Sequence, residues 1–151
     1  MAIKMKNTVT LRAKADCPSH AKSEISTRDI TFIVDEPTER GGTNLGPTPT
    51  DTAIAALIGC TNVIGHKCAK KLGIDIGHLT IDASCQLDRR GVLLQEEIDI
   101  PFESLTLEVV SNSNASDTEL QQVAAETAKF CAVSKLFEKA GTQLTVNWTK
   151  A

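Results

Sequence analysis

Aromatic residues are scarce in this 151-residue chain. They make up 3% of it, and tyrosine is absent. Stacking platforms for bases and aromatic cages for cations need several rings in one place, so neither is expected here. Excess positive charge is also missing. Sixteen Lys and Arg stand against 19 Asp and Glu, a net charge of −3, and there is no long basic run. That argues against a nucleic-acid or acidic-membrane surface. No apolar run is long enough to cross a bilayer, and the opening MAIKMKNTVTLRAK has charges but no apolar signal core. The default expectation is cytoplasmic, where a disulfide is usually transient and catalytic. The five cysteines (Cys17, Cys60, Cys68, Cys85, Cys131) form no C-x-x-C pair, and only His66 lies near one of them, so no zinc site is expected. There is no internal repeat, low-complexity stretch or linker. With 41% hydrophobic and 23% charged residues, one globular domain over 1–151 with a real core is expected.

What is present is periodic. Thr8–Lys14 alternates, with Val9, Leu11 and Ala13 facing one way, and reads as a half-buried strand. A second strand is expected from about Ser26 to Val34, its inward face Ile30, Phe32 and Val34, with Arg28 at the same parity. Asp35–Pro49 holds three prolines and three glycines and reads as a rigid loop. Helix one follows. Thr48 suits the N-cap, Pro49 the first helical position, and Asp51 the capping box. From Ala53 to Cys60 the helix is apolar or small all the way round, so it must be covered on most sides, and a second subunit is one way to do it.

His78–Asp88 is the clearest strand. Val92–Ile100 and Ser104–Val110 are expected as further strands, with Pro101 at a break. Ser116-Asp117-Thr118-Glu119 is a capping box that opens helix two, whose face is Leu120, Val123, Ala124, Thr127 and Cys131. Gly141 is a helix stop, and Thr142–Trp148 a closing strand. Strands, helix, strands, helix, strand suggest α+β with antiparallel sheet.

Two cysteines on apolar helical segments stand out. Taken alone, Cys60 and Cys131 could each be small buried hydrophobes. Arg28, on a strand able to pack on the helices, offers a guanidinium that would favour a thiolate, and Asp51 a carboxylate to hold that guanidinium. The plainer readings are a helix cap for Asp51 and a strand-end residue reaching water for Arg28. Cys17, Cys68 and Cys85 read as bystanders.

D-E-P-x-x-x-G-G-T-N-L-G-P-x-P, then A-x-x-A-L-x-G-C, then F-C-x-V-S-K-L-F, resembles the OsmC/Ohr family (osmotically inducible protein C and organic hydroperoxide resistance proteins), in its OsmC-like branch. The resemblance runs from about Arg28 to Trp148. It implies an intertwined homodimer, two antiparallel sheets wrapped around two central helices, with active sites at the subunit interface. It implies a thiol peroxidase acting on organic hydroperoxides without a bound cofactor. Cys60 matches the peroxidatic cysteine, Cys131 the resolving one, Asp51 the acidic residue and Arg28 the arginine. Turnover would run through a Cys60 sulfenic acid and a Cys60–Cys131 disulfide, reset by a dithiol reductant such as a lipoylated protein or thioredoxin. An apolar pocket of Ile54, Leu57, Ile58 and Phe130 would favour organic peroxides. Two departures are visible: the usual C-P-x-S is Cys131-Ala132-Val133-Ser134, which would let helix two run straight through Cys131, and Glu has become Asp51. The alternatives are a redox sensor or a ligand-binding dimer without turnover.

Overall fold

The computed structural model describes residues 5–151, which divide into two compact units, one reaching to residue 52 and the other 53–151. In the first unit three short strands, β1 (Lys14–Asp16), β2 (Ser23–Thr27) and β3 (Ile30–Val34), form an antiparallel sheet in that order. The strand expected at Thr8–Lys14 is not formed. Pairing begins only at Lys14, and Val9 and Leu11 are 73% and 90% exposed, so the alternation finds no partner surface within one chain. Nor is Ser26–Val34 one strand. It is a hairpin in which Thr27 pairs with Ile30, leaving Arg28 and Asp29 as a two-residue turn. Arg28 has φ +54°, in the left-handed region, and is exposed rather than inward.

The loop after β3 is organised by Asp35, which is fully buried. Its carboxylate accepts the backbone N–H groups of Glu36 (2.8 Å), Thr43 (3.2 Å) and Leu45 (3.1 Å), and the Thr43 hydroxyl at 2.5 Å. Its own N–H donates to the Pro47 carbonyl at 3.0 Å. The chain folds so tightly on itself that a Cβ at Gly42 would lie 1.8 Å from the Glu36 carbonyl oxygen, and one at Gly46 2.1 Å from that of Ile33. Only glycine permits such backbone contact.

Helix α1 (Pro49–Leu72) starts where the capping residues put it. The Thr48 hydroxyl accepts the Asp51 N–H at 3.1 Å, and Asp51 Oδ2 accepts the Thr48 N–H at 3.4 Å.

The second unit holds β4 (Leu79–Leu87), β5 (Phe102–Ser111), α2 (Asp117–Phe130), α3 (Ala132–Lys139) and β6 (Gln143–Lys150). The sheet order is β4-β5-β6. β4 and β5 are antiparallel, but β6 lies parallel to β5, so the sheet is mixed. A parallel neighbour needs a crossover, which α2 and α3 supply. Leu105, Leu107 and Val109 of β5 are fully buried and face the helices, packed with Leu57, Leu120, Val123, Phe137 and Trp148. The Trp148 ring lies across α1 so closely that a Cβ at Gly65 would sit 2.8 Å from it.

The stretch 92–100, expected as a strand, is turns and bends instead. There Arg90 binds both Asp88 (2.6 Å) and Glu96 (2.7 Å), pulling the segment into a compact knot instead of an extended edge. The ladder of β5 is already filled by β4 and β6, so no place remains for another strand beside it. Among the described residues no helix is long and apolar enough to cross a membrane.

Candidate active site

Cys60 is half-buried on α1 and Cys131 is fully buried at the junction of α2 and α3. The two are 71 positions apart, yet the Cys131 thiol donates to the Cys60 sulfur across 2.9 Å. Both are free thiols.

The junction explains how Cys131 gets there. Helix two does not run through it. At Cys131 the backbone turns extended (φ −70°, ψ 108°) and a new helix starts at Ala132. The expectation that loss of proline would straighten this segment is therefore wrong. The break is held by the sulfur itself, which accepts the Ser134 N–H at 3.4 Å and so acts as the N-cap of α3. Upstream, the Ser116–Glu119 capping box is complete: the Ser116 hydroxyl accepts the Glu119 N–H at 3.2 Å, and the Glu119 carboxylate accepts the Ser116 N–H at 2.8 Å.

Burial pushes the Cys60 thiol up from its ordinary pKa, and Cys131 beside it adds to the rise. The backbone N–H groups of Val133 and Ala132 pull the other way without reversing it. Among the described residues, no lysine or arginine is one of the groups that shift it.

Arg28 is on the exposed β2–β3 turn and Asp51 on the first turn of α1. Among the described residues no ion pair joins them. Asp51 is engaged by Thr48, whose hydroxyl donates to Oδ2 at 2.7 Å. Of the four residues singled out in the sequence, the structure thus brings two together.

Leu57, expected to line an apolar pocket, has no exposure and belongs to the buried core cluster that also holds Leu105, Leu107 and Val109. Ile54 and Ile58 are half-buried, and Phe130 is 55% exposed. Phe130 carries a feature the sequence did not announce: the Lys71 ammonium lies 5.2 Å from its ring centre, while Glu126 binds Lys71 (3.4 Å) and Lys129 (2.8 Å). A cavity of about 310 Å³ opens between Thr61, Thr127, Ser134 and Trp148, and neither sulfur lines it. Of the other cysteines, Cys17 is exposed, Cys68 is buried in α1, and Cys85 is half-buried on β4 with its thiol raised by burial.

The family described as OsmC-like protein matches residues 42–147, well over half of the chain, and the chain belongs to it. The fold is that of solved members. An OsmC-like protein from Mycoplasma pneumoniae superposes with a TM-score of 0.78 at 16% identity, covering 95% of this chain and 98% of that one. The organic hydroperoxide resistance protein OsmC from Legionella pneumophila gives 0.71 at 16% identity, covering 95% and 99%. The organic hydroperoxide resistance protein OhrB of Bacillus subtilis gives 0.64 at 18%, covering 93% and 98%. None of the curated proteins compared matches this sequence.

Proposed function

We propose that this protein is a cysteine-based thiol peroxidase that reduces organic hydroperoxides. One observation carries the reading: two free sulfurs 2.9 Å apart, one partly open and one enclosed. A peroxide meets the open sulfur first, and the enclosed one is already in reach to resolve it.

In this reading the Cys60 thiolate attacks the terminal oxygen of the hydroperoxide. The O–O bond breaks, the sulfur becomes a sulfenic acid, and the alkoxide leaves and takes up a proton to become the alcohol. The Cys131 thiol then displaces water from the sulfenic acid, forming the Cys60–Cys131 disulfide. A dithiol, such as a lipoylated protein or thioredoxin, exchanges with it. Two thiols are restored on this protein and a disulfide is left on the reductant. A cytoplasmic setting suits that cycle.

Arg28 is the proposed cation for the thiolate and Asp51 the proposed carboxylate. Family resemblance supports both roles, and the bare, raised Cys60 supports the need for such a cation. Exposed Ala55, Ala56, Gly59 and Val63 along α1 support a homodimer in which a second copy covers that face. The same raised thiol favours a second reading, a redox sensor or ligand-binding dimer without turnover, wherever that cation is not supplied.

The test is consumption of cumene hydroperoxide with a dithiol present, followed by mass spectrometry of the thiols. Many equivalents consumed per chain, with a 60–131 linkage at low peroxide, is the expected result. Cys60→Ser abolishes consumption. Cys131→Ser stops after one equivalent, with the sulfenic acid trapped on Cys60. Both thiols remaining free while peroxide persists would remove the proposal.

A further inference from the structure

We infer that the cavity between α1, α2, α3 and β6 is a binding site for a small neutral alcohol with an apolar body, separate from the sulfur pair. It lies wholly within the unit 53–151. Such a site requires nothing of the Cys60 thiol, so it goes beyond the peroxidase reading and is independent of it.

Its chemistry is set by two buried hydroxyls with nothing to bond. Thr61 on α1 is 2% exposed and Ser134 on α3 is 5% exposed, and both line the cavity. Among the described residues neither hydroxyl has a hydrogen-bond partner, and neither is sealed off, so each opens into the space it lines. Elsewhere in the same unit a buried hydroxyl is used up: that of Ser111 donates to the Ile76 carbonyl at 2.8 Å. Leaving one unpaired is costly, so the pair calls for an occupant that can hydrogen-bond. A third hydroxyl in the wall, that of Thr127, donates to the Val123 carbonyl at 2.7 Å and keeps lone pairs with which to accept. An alcohol suits this set, because one hydroxyl can donate to one member and accept from another.

The rest of the wall selects what that hydroxyl is attached to. Leu144, Val146 and Trp148 of β6 and three alanines of α2 make it apolar. Glu138 is the one charged residue among those lining it, so no cation is there to hold a carboxylate or phosphate, and an anion is repelled. A dry cavity of roughly 150 Å³ takes a benzene ring. This one, of about 310 Å³, has room for one ring or a short branched chain with its hydroxyl. The occupant meets Thr61, the residue after Cys60, and Ser134, whose N–H donates to the Cys131 sulfur at 3.4 Å. The site therefore borders the pair while presenting neither sulfur.

The protein carries its own reporter. Trp148 is the one tryptophan of a chain without tyrosine, and it forms part of the wall. The full-length reduced protein is titrated with 2-phenyl-2-propanol while Trp148 emission is followed. A saturable change is expected. Ala128→Leu, at an exposed position of α2 in the wall, fills the space and abolishes it. Thr61→Val keeps the shape, removes the hydroxyl and weakens binding about tenfold, as for one lost hydrogen bond. Cys60→Ser binds as the wild type does, and the anion phenylacetate gives no saturable change. Circular dichroism checks each variant's fold, and Thr61→Val carries the test where Ala128→Leu is not native. Four results overturn the site. No saturation up to the solubility limit means a cavity that holds water alone or is closed by a second copy of the chain. Binding unaltered in folded Ala128→Leu or Thr61→Val places the alcohol elsewhere. Phenylacetate binding as well as the alcohol removes the selection for a neutral ligand. Loss of binding in Cys60→Ser puts the alcohol at the sulfurs.

Discussion

Asp35 and Cys60 are two acidic side chains facing backbone amides, and they end up on opposite sides of their ordinary pKa values. Asp35 is fully buried, yet the Thr43 hydroxyl, together with the amides of Leu45, Glu36 and Thr43, carries its carboxyl down from 3.8 to about 2. Cys60 is less buried, and its thiol is raised. The difference lies in the number and kind of donors. Four hydrogen bonds outweigh desolvation at a compact carboxylate, whereas two amides do not outweigh it at a sulfur that also borders a second sulfur. The loop around Asp35 is therefore electrostatically complete within one chain, and the cysteine pair is not. A structural charge can be finished locally. The thiol proposed to react depends on something more, the proposed cation or a partner.

The comparison can be broken most severely at Gly42. Gly42→Ala drives a Cβ into the Glu36 carbonyl, so the loop cannot close around Asp35. The expected loss, on the order of 3 kcal/mol or more, is read from denaturant unfolding. Next in size is Arg28→Gln. If Arg28 is the cation Cys60 lacks, labelling of Cys60 at neutral pH slows by about tenfold, one pKa unit. An unchanged rate assigns the role elsewhere.

Asp35→Asn tests the finished charge. A carboxylate whose folded pKa is below its unfolded value adds stability that is present above about 3.8 and is lost as pH falls through about 2. Wild-type stability should therefore drop across that interval, and the Asn variant, less stable at neutral pH, should show a flatter acid limb in thermal melts. The smallest effect calibrates the rest. Ser116→Ala removes a single side-chain acceptor from one helix amide at the start of α2, and should cost about 1 kcal/mol in the same unfolding assay.

Local rules were legible in the sequence and non-local ones were not. Both capping boxes, at Thr48–Asp51 and Ser116–Glu119, are four-residue patterns, and each forms. β4 alternates as its residues dictate. The hairpin at Arg28 is hidden because Arg-Asp lacks the Asn-Gly or Gly signature of tight turns, and Arg28 shares the parity of Ile30, Phe32 and Val34. The direction of β6 is invisible locally, since a strand's composition does not say which way its neighbour runs. Asp35 read only as the edge of a loop, because its donors lie up to ten residues downstream and converge only in three dimensions. Of the site, the two cysteines were legible as a candidate pair. That a sulfur, and not a proline, breaks the helix at Cys131 depended on knowing what the sulfur faces.

Because β6 runs alongside β5 in the same sense, the chain must travel over the sheet through residues 112–142 before its last strand can dock. Cys131 rides on that traverse. In the order of synthesis, Cys60 is made early and its counterpart's helices gain their footing only when Trp148 and its neighbours arrive. The two sulfurs, 71 positions apart, thus meet through helices that pack on a strand made after both of them.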